Sequence, residues 1–142
     1  MPTLSLIIQE SLFLDDNDRS NLYRKQIEDV NYLDHRTVSV PSGSETTLFK
    51  FDNLPGAGTF VTSSLKYARI SNLSETIPVN IKVSSSLDNF NFRVDAGGTF
   101  MINTSKVTGS FDSTIFSYDD VQYIAAEPSS SAAKIEYYIA TS

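Results

Sequence analysis

The sequence predicts an all-β protein, an antiparallel β-sandwich of jelly-roll type, and three observations lead to this prediction. Large apolar residues alternate with polar residues over short segments, which is the period of two that a half-buried strand shows. Turn-forming residues separate these segments at intervals of roughly 8–12 residues, as is typical of sandwiches and jelly rolls. Strand and helix patterns do not alternate in the way that a βαβ protein requires. We therefore predict a single domain over residues 1–142.

The N-terminal part begins with a predicted strand, in which Leu4, Leu6 and Ile8 occupy alternate positions. The apolar residues 12–14 either extend this strand or begin its partner. Residues 15–18 read Asp-Asp-Asn-Asp and predict a polar turn, because these side chains hydrogen-bond their own backbone. The segment 19–36 fits a short helix as well as two strands, so its structure stays open. It is rich in both charges and reads either as a solvated loop or as an extended arm that docks on another subunit. Its exposed apolar residues, together with one tyrosine near the C-terminus, are the candidate interface: Leu22, Tyr23, Tyr32 and Tyr138.

Further strands are predicted where β-branched or alternating apolar residues lie between turn signals. Proline, glycine and serine clusters end several of them, including the loop at 52–58 with its proline and two glycines. The predicted strands cover 37–40, 46–51, 65–71, 79–83, 89–94, 99–103, 121–126 and 133–140.

The stretch 89–103 is the predicted centre of the fold. Phe90, Phe92 and Val94 alternate with polar residues, and the pattern resumes after a turn with Phe100 and Ile102. Glycines 97 and 98 supply the positive φ angles that a tight hairpin needs. We expect two paired antiparallel strands whose large apolar side chains share one face, which the other strands cover.

Composition excludes several classes of function. With 40% hydrophobic and 20% charged residues in 142, the chain has a globular composition and can bury a core. A net charge of −6 disfavours nucleic acid as a partner, since phosphate binding needs a basic surface. No apolar run is long enough to cross a membrane, and the first residues lack a signal-peptide pattern. Cysteine is absent, which excludes disulfides and favours folding in a reducing cytosol.

The sequence offers no catalytic or metal-binding set. The one histidine, His35, lies between Asp34 and Arg36 with no nucleophile motif, so we expect an exposed structural histidine. The acidic turn at 15–18 lacks the glycine and the glutamate of a calcium loop, and the acidic pair at 119–120 has no partner set. We therefore predict no catalytic residue, no metal and no cofactor.

Four segments carry a resemblance to a known group of proteins. They are LKYARISNL at 65–73, VNIKV at 79–83, FRVDAGGTF at 92–100 and IEYYIAT at 135–141. Their order resembles that of small β-sandwich structural proteins encoded by tailed bacteriophages, especially those of marine and cyanobacterial settings. The resemblance implies a non-enzymatic virion component that is assembled in the host cytoplasm. Its partners would be other copies of itself and other virion proteins, such as major capsid or tail proteins.

These observations predict a capsid decoration (cement) protein that stabilises a particle through contacts between subunits. A tail, neck or fibre component is an alternative within the same class. A second alternative is a carbohydrate- or receptor-binding module that uses exposed aromatic residues. For this role Tyr137 and Tyr138 are the candidates, because adjacent strand residues face opposite sides and one of the two is therefore expected at the surface. A jelly-roll enzyme is disfavoured, since such enzymes mostly use several histidines around a metal.

Overall fold

The structure, a computed structural model, describes residues 2–51, 59–60, 65–85, 89–103, 106–108, 115–117 and 121–142. It divides into two compact units, Met1–Val30 and Asn31–Ser142. Every regular element among the described residues is a β-strand, which confirms the all-β prediction. The predicted loop at 52–58 and the acidic pair at 119–120 lie outside the described residues.

The first unit is a β-hairpin with two pairs of strands. The longer pair is β1 (Leu4–Glu10) and β4 (Asn21–Ile27), and the shorter pair is β2 (Phe13–Leu14) and β3 (Asn17–Asp18). Between β2 and β3, Asp15 and Asp16 both have positive φ, at 50° and 60°. Two successive positive φ angles define a type I′ turn, whose twist matches that of the flanking strands. The predicted polar turn is therefore confirmed.

The second unit contains the remaining strands. They are β5 (Tyr32–Val40), β6 (Thr46–Phe51), β7 (Thr59–Phe60), β8 (Leu65–Asn72), β9 (Val79–Ser85), β10 (Asn89–Val94), β11 (Thr99–Ile102), β12 (Lys106–Thr108), β13 (Ile115–Ser117), β14 (Val121–Pro128) and β15 (Ala133–Thr141).

Eight of these strands form a jelly roll. One sheet has the order β10-β9-β14-β6, with β7 added parallel to β6, and the other has the order β11-β8-β15-β5. The antiparallel pairs are nested: β5 pairs with β15, β6 with β14, β8 with β11, and β9 with β10. This nested pairing arises when one long antiparallel hairpin folds over on itself. The result is the jelly roll, which contains two Greek keys. The predicted antiparallel, jelly-roll-like sandwich is confirmed.

The core lies between the two sheets and follows from the period of two. On β15, Ile135, Tyr137 and Ile139 are buried while Glu136 and Tyr138 alternate with them and are half-buried. On β9 the predicted apolar positions are buried in the same way. Burying a large aliphatic side chain contributes about 1.5–3 kcal/mol, so these facing stripes hold the sheets together. The largest fully buried side chains include Phe49, Ile70, Ile81, Ile102 and Ile124.

The predicted hairpin between residues 89–94 and 99–103 is wrong. β10 pairs with β9 and β11 pairs with β8, so the two strands are edges of different sheets. The connection does contain a tight turn, with Gly97 at φ +75° and the Gly98 N–H donating to the Asp95 carbonyl at 2.8 Å. Both strands still turn their apolar faces to one core, which is why their alternation alone resembled a paired hairpin.

The segment 19–36 is divided between the two units. Its first half contains β4 of the hairpin, and its second half contains the start of β5, which is hydrogen-bonded to β15. The sequence left open whether the segment 19–36 forms a short helix or two strands, and the structure shows strands. The part of the chain that forms a separate unit is residues 1–30, which begins earlier and ends sooner than the arm expected at 19–36.

Candidate functional site

The four predicted interface residues are divided between the two units. Leu22 and Tyr23 lie on β4 with 46% and 45% of their surface exposed, and as consecutive strand residues they face opposite sides of the hairpin. Tyr32 begins β5 and is also exposed, whereas Tyr138 is half-buried on β15. Their role at an interface stays a prediction.

The most exposed apolar surface of the described residues lies at the end of the hairpin. Leu12, Phe13 and Leu14, here called the tip cluster, are 53%, 71% and 51% exposed. Sequence reasoning assigned them only to a strand or its partner. The available signal in the sequence was a run of three large apolar residues directly before the polar turn at 15–18.

Hydrogen bonds fix the backbone that carries the tip cluster. The Arg19 N–H donates to the Leu12 carbonyl at 2.8 Å, and the Leu12 N–H donates to the Ser20 hydroxyl oxygen at 3.2 Å. The Ser20 N–H in turn donates to an Asp18 carboxylate oxygen at 2.9 Å. The hydrogen bonds from Ser20 lower the pKa of Asp18, because they favour its charged form. The apolar side chains are thus presented from an ordered hairpin end.

A polar groove lies on the outer face of the four-stranded sheet of the jelly roll. Its volume is about 590 Å³, and it lies beside the turn that contains Gly97. The residues that line it are mostly polar, and they include Arg69, Ser71, Ser74, Glu75, Thr99 and Glu136. We call this surface the polar groove.

A continuous side-chain network crosses three strands within the polar groove. Arg69 Nη2 lies 2.7 Å from Glu136 Oε1, and Arg69 Nη1 donates to the Ser71 hydroxyl at 2.8 Å. The Ser71 and Thr99 hydroxyl oxygens are 3.1 Å apart and share a hydrogen bond. The strand register places these residues side by side on one face, since Ser71 is opposite both Glu136 and Thr99. The network holds donors and acceptors in fixed positions.

Aromatic side chains continue this outer face. The ring of Tyr138, which is opposite Arg69, lies 5.3 Å from the His35 ring and 6.1 Å from the Tyr67 ring. Burial raises the pKa of Tyr67, whose hydroxyl contacts the Met101 sulfur at 3.5 Å. His35 is exposed, as predicted, and its Nε2 atom lies 4.0 Å from Glu136 Oε2.

Asn72 is the residue that sequence reasoning most clearly missed. It is 2% exposed, and its amide nitrogen donates to the carbonyls of Ile77 and Val94 at 2.8 and 3.2 Å. Its side-chain oxygen accepts from the Ser74 N–H at 3.0 Å, which is an Asx-turn. The Asn-x-Ser sequence was the only available signal, and it indicated a surface turn. The structure makes Asn72 a buried junction between the end of β8 and two other segments.

Tyr137 and Tyr138 face opposite sides of β15, as predicted, but neither is exposed, since Tyr137 is buried and Tyr138 is half-buried. Tyr137 points into the sandwich, where its hydroxyl lies 3.3 Å from Asp34 Oδ2, while the other Asp34 oxygen accepts from Arg36 Nε at 2.7 Å. Burial, together with the negative charge of Asp34, raises the pKa of Tyr137 to about 12. This cluster is structural in character, because Tyr137 is only 2% exposed.

The described ranges bring together no three side chains of His, Cys, Asp or Glu that could hold a metal ion. Those same residues also form no helix of a length and apolarity sufficient to cross a membrane. The predictions of no catalytic residue, metal or cofactor stay predictions.

The fold and these surfaces define the chain as a jelly-roll β-sandwich preceded by a β-hairpin that presents apolar side chains. Comparison of the chain with protein-family models, with curated proteins and with solved structures finds no match.

Proposed function

We propose that this protein is a non-enzymatic structural component of a virion, most specifically a capsid decoration protein, and that its N-terminal hairpin attaches it to neighbouring subunits. The observation that carries the proposal is the tip cluster, three adjacent apolar side chains that are each more than half exposed. Phe13 and Leu14 are consecutive strand residues, so the cluster exposes apolar surface on both faces of the hairpin end. Clustered exposed apolar surface on a folded protein marks an interaction site.

Burial of the tip cluster supplies the attachment energy in this proposal. Covering a large apolar side chain contributes about 1.5–3 kcal/mol, and Ile7 and Leu22 add further exposed apolar surface on the hairpin. When many copies attach around one particle, the free energies of their contacts add up within the same assembly.

The class of particle rests on the resemblance to tailed-phage β-sandwich proteins and on the jelly roll itself, which recurs in viral capsid domains. Under the proposal the partners are other copies of the chain and major capsid or tail proteins, and the place of assembly is the host cytoplasm. A tail, neck or fibre position is the alternative that uses the same hairpin contact.

The test is incorporation of the full-length chain into particles. The chain is produced together with the structural proteins of the genome that encodes it, and particles are purified on a density gradient and analysed by mass spectrometry. The wild-type chain should co-purify in fixed stoichiometry with the shell. A Phe13→Ser/Leu14→Ser variant should be lost from the particles while its circular dichroism spectrum stays unchanged. A Gln26→Ser variant, which changes an exposed polar residue of β4, should be retained.

Two results would contradict the proposal. Absence of the wild-type chain from purified particles would exclude a virion role, and normal incorporation of the Phe13→Ser/Leu14→Ser variant would exclude attachment through the tip cluster. Deletion of residues 19–36 is unsuitable as a test, because it would also remove half of β5 from its ladder with β15.

A further inference from the structure

We propose that the polar groove binds a neutral saccharide. This inference goes beyond the proposed attachment, since it concerns a different surface, in the jelly-roll unit, and a ligand of different chemistry. Four features of the groove lead to it: the fixed network of donors and acceptors, the charge of the lining, the neighbouring aromatic ring and the volume.

The network suits a ligand that carries adjacent hydroxyl groups. Each sugar hydroxyl donates one hydrogen bond and accepts others, so neighbouring hydroxyls match a donor held beside an acceptor. Arg69 and Glu136 form such a pair at 2.7 Å, and each of the two side chains is 29% exposed. Arg69 has five N–H groups, and its partners Glu136, Ser71 and Tyr67 do not use all of them, which leaves donors for a ligand. The hydroxyl pair of Ser71 and Thr99 extends the row by one strand.

The charge of the lining favours a neutral ligand over an anion. One arginine and two glutamates, Arg69, Glu75 and Glu136, line the groove, which gives 1 − 2 = −1. The positive charge of Arg69 is also compensated directly by Glu136. A phosphate, sulfate or carboxylate would therefore meet net repulsion, whereas an uncharged polyol would not.

An aromatic ring stands beside the groove on the same face, although it is not one of the residues that line the groove. Tyr138 is opposite Arg69 in the strand register, and directly opposite residues have their Cβ atoms about 4.5–5.5 Å apart. Its contacts with His35 and Tyr67 hold the ring in place. The apolar face of a sugar ring packs against such an aromatic surface while its hydroxyls reach polar neighbours. The groove volume of about 590 Å³ lies within the range of about 300–1,000 Å³ that small-molecule sites occupy.

The experiment is a binding screen of the full-length protein on an array that carries neutral oligosaccharides together with sialylated and sulfated ones. We expect binding to neutral glycans, and isothermal titration with the best neutral oligosaccharide then gives its Kd. Glu136→Gln should weaken that Kd roughly ten-fold or more, since a hydrogen bond to a charged group contributes about 1.5–3 kcal/mol. Thr99→Val should weaken it by about two- to ten-fold, because the Thr99 hydroxyl makes a hydrogen bond between neutral groups. Tyr138→Ala should weaken it as well, whereas Tyr138→Phe retains the ring and should bind nearly as the wild type does.

A matched control uses the same strand. Lys134→Gln changes one charge on the outer side of β15, but Lys134 does not line the groove. This variant should bind with unchanged affinity. Thermal unfolding of every variant separates a lost contact from a lost fold, and Glu136→Gln and Thr99→Val keep the inference testable if Tyr138→Ala is unstable.

Three outcomes would overturn the inference: no binding to any neutral glycan, binding confined to anionic glycans, or neutral binding that none of the groove variants alters. These outcomes are distinguishable from failure of the proposed virion role. The Phe13→Ser/Leu14→Ser variant should bind the saccharide normally, and Glu136→Gln should still enter particles.

Discussion

The rings of Phe92 and Phe100 have centroids only 3.6 Å apart, although the two residues belong to edge strands of different sheets. Both side chains pack against the buried core. The contact therefore joins the two layers of the sandwich at one edge, next to the turn that links β10 to β11.

This contact predicts energetic coupling between the two rings. In a double-mutant cycle, the loss of unfolding free energy in the Phe92→Leu/Phe100→Leu variant should be smaller than the sum of the two single-variant losses. The expected difference is about 0.5–1.5 kcal/mol, which is the contribution of an aromatic pair beyond its buried area. Urea unfolding of the wild type, both single variants and the double variant measures it. Additive losses would mean that the rings act independently.

Asn72→Ala should destabilise the jelly roll by about 3 kcal/mol. The substitution leaves the buried carbonyls of Ile77 and Val94 and the Ser74 N–H without their side-chain partner, and each unsatisfied buried group costs about 1–3 kcal/mol. The control is Asn91→Ala, at an exposed position on β10, which should change stability by no more than about 0.5 kcal/mol. Equal urea midpoints for the two variants would contradict the role assigned to Asn72.

Tyr137 predicts a loss of stability in alkaline solution. Its pKa is raised to about 12 in the folded protein from an ordinary value of 10.0, so the stabilisation is fully present below pH 10 and is lost as the pH rises through 12. In that window the unfolding free energy should fall by up to about 1.4 kcal/mol per pH unit from this group, because the unfolded chain releases the proton first.

The matching variant is Tyr137→Phe. It should lower stability at neutral pH by about 0.5–1.5 kcal/mol, through loss of the hydrogen bond to Asp34, and it should flatten the decline between pH 10 and 12. Part of the decline in stability should remain in this variant, because the pKa of Tyr67 is also raised. An alkaline profile parallel to that of the wild type would rule out Tyr137 as its source.

Substitutions at Asp16 should change the stability of the hairpin in opposite directions. Its φ of 60° is left-handed, a conformation that glycine adopts without strain and a β-branched residue strongly resists. Asp16→Gly should stabilise the hairpin by about 0.7 kcal/mol and slow amide hydrogen exchange in β1 and β4 roughly threefold, while Asp16→Val should accelerate it. Exchange that responds in the same direction to both substitutions would argue against the type I′ turn.

Local patterns in the sequence were sufficient to locate the strands, but they did not identify every strand's neighbour in the sheets. Alternation correctly predicted which residues of β9 and β15 are buried, because a strand between a core and solvent has only two faces. It failed for β10 and β11, since alternation fixes the face of a strand and says nothing about which neighbour completes its hydrogen bonds. The division of 19–36 between two units was equally hidden, because exposed and edge strands both tolerate charged residues.

The candidate surfaces were less predictable than the fold. Arg69, Ser71, Thr99 and Glu136 lie far apart in the sequence, and only the strand register brings them together. Asn72 looked like an ordinary turn residue, because its two long-range hydrogen bonds depend on how β8 ends against other segments.

The nesting of the strand pairs also constrains how the protein is made. Asp34 and Tyr137 are 103 residues apart in the chain, yet they meet on neighbouring strands. During synthesis the strand that contains Asp34 emerges early, but it has no partner in its sheet until the last strand leaves the ribosome. Such distant pairing is slow, with folding times of milliseconds to seconds for comparable topologies. We therefore expect the jelly roll to complete its fold only after β15 has left the ribosome, and to depend in the meantime on protection of its unfinished edge.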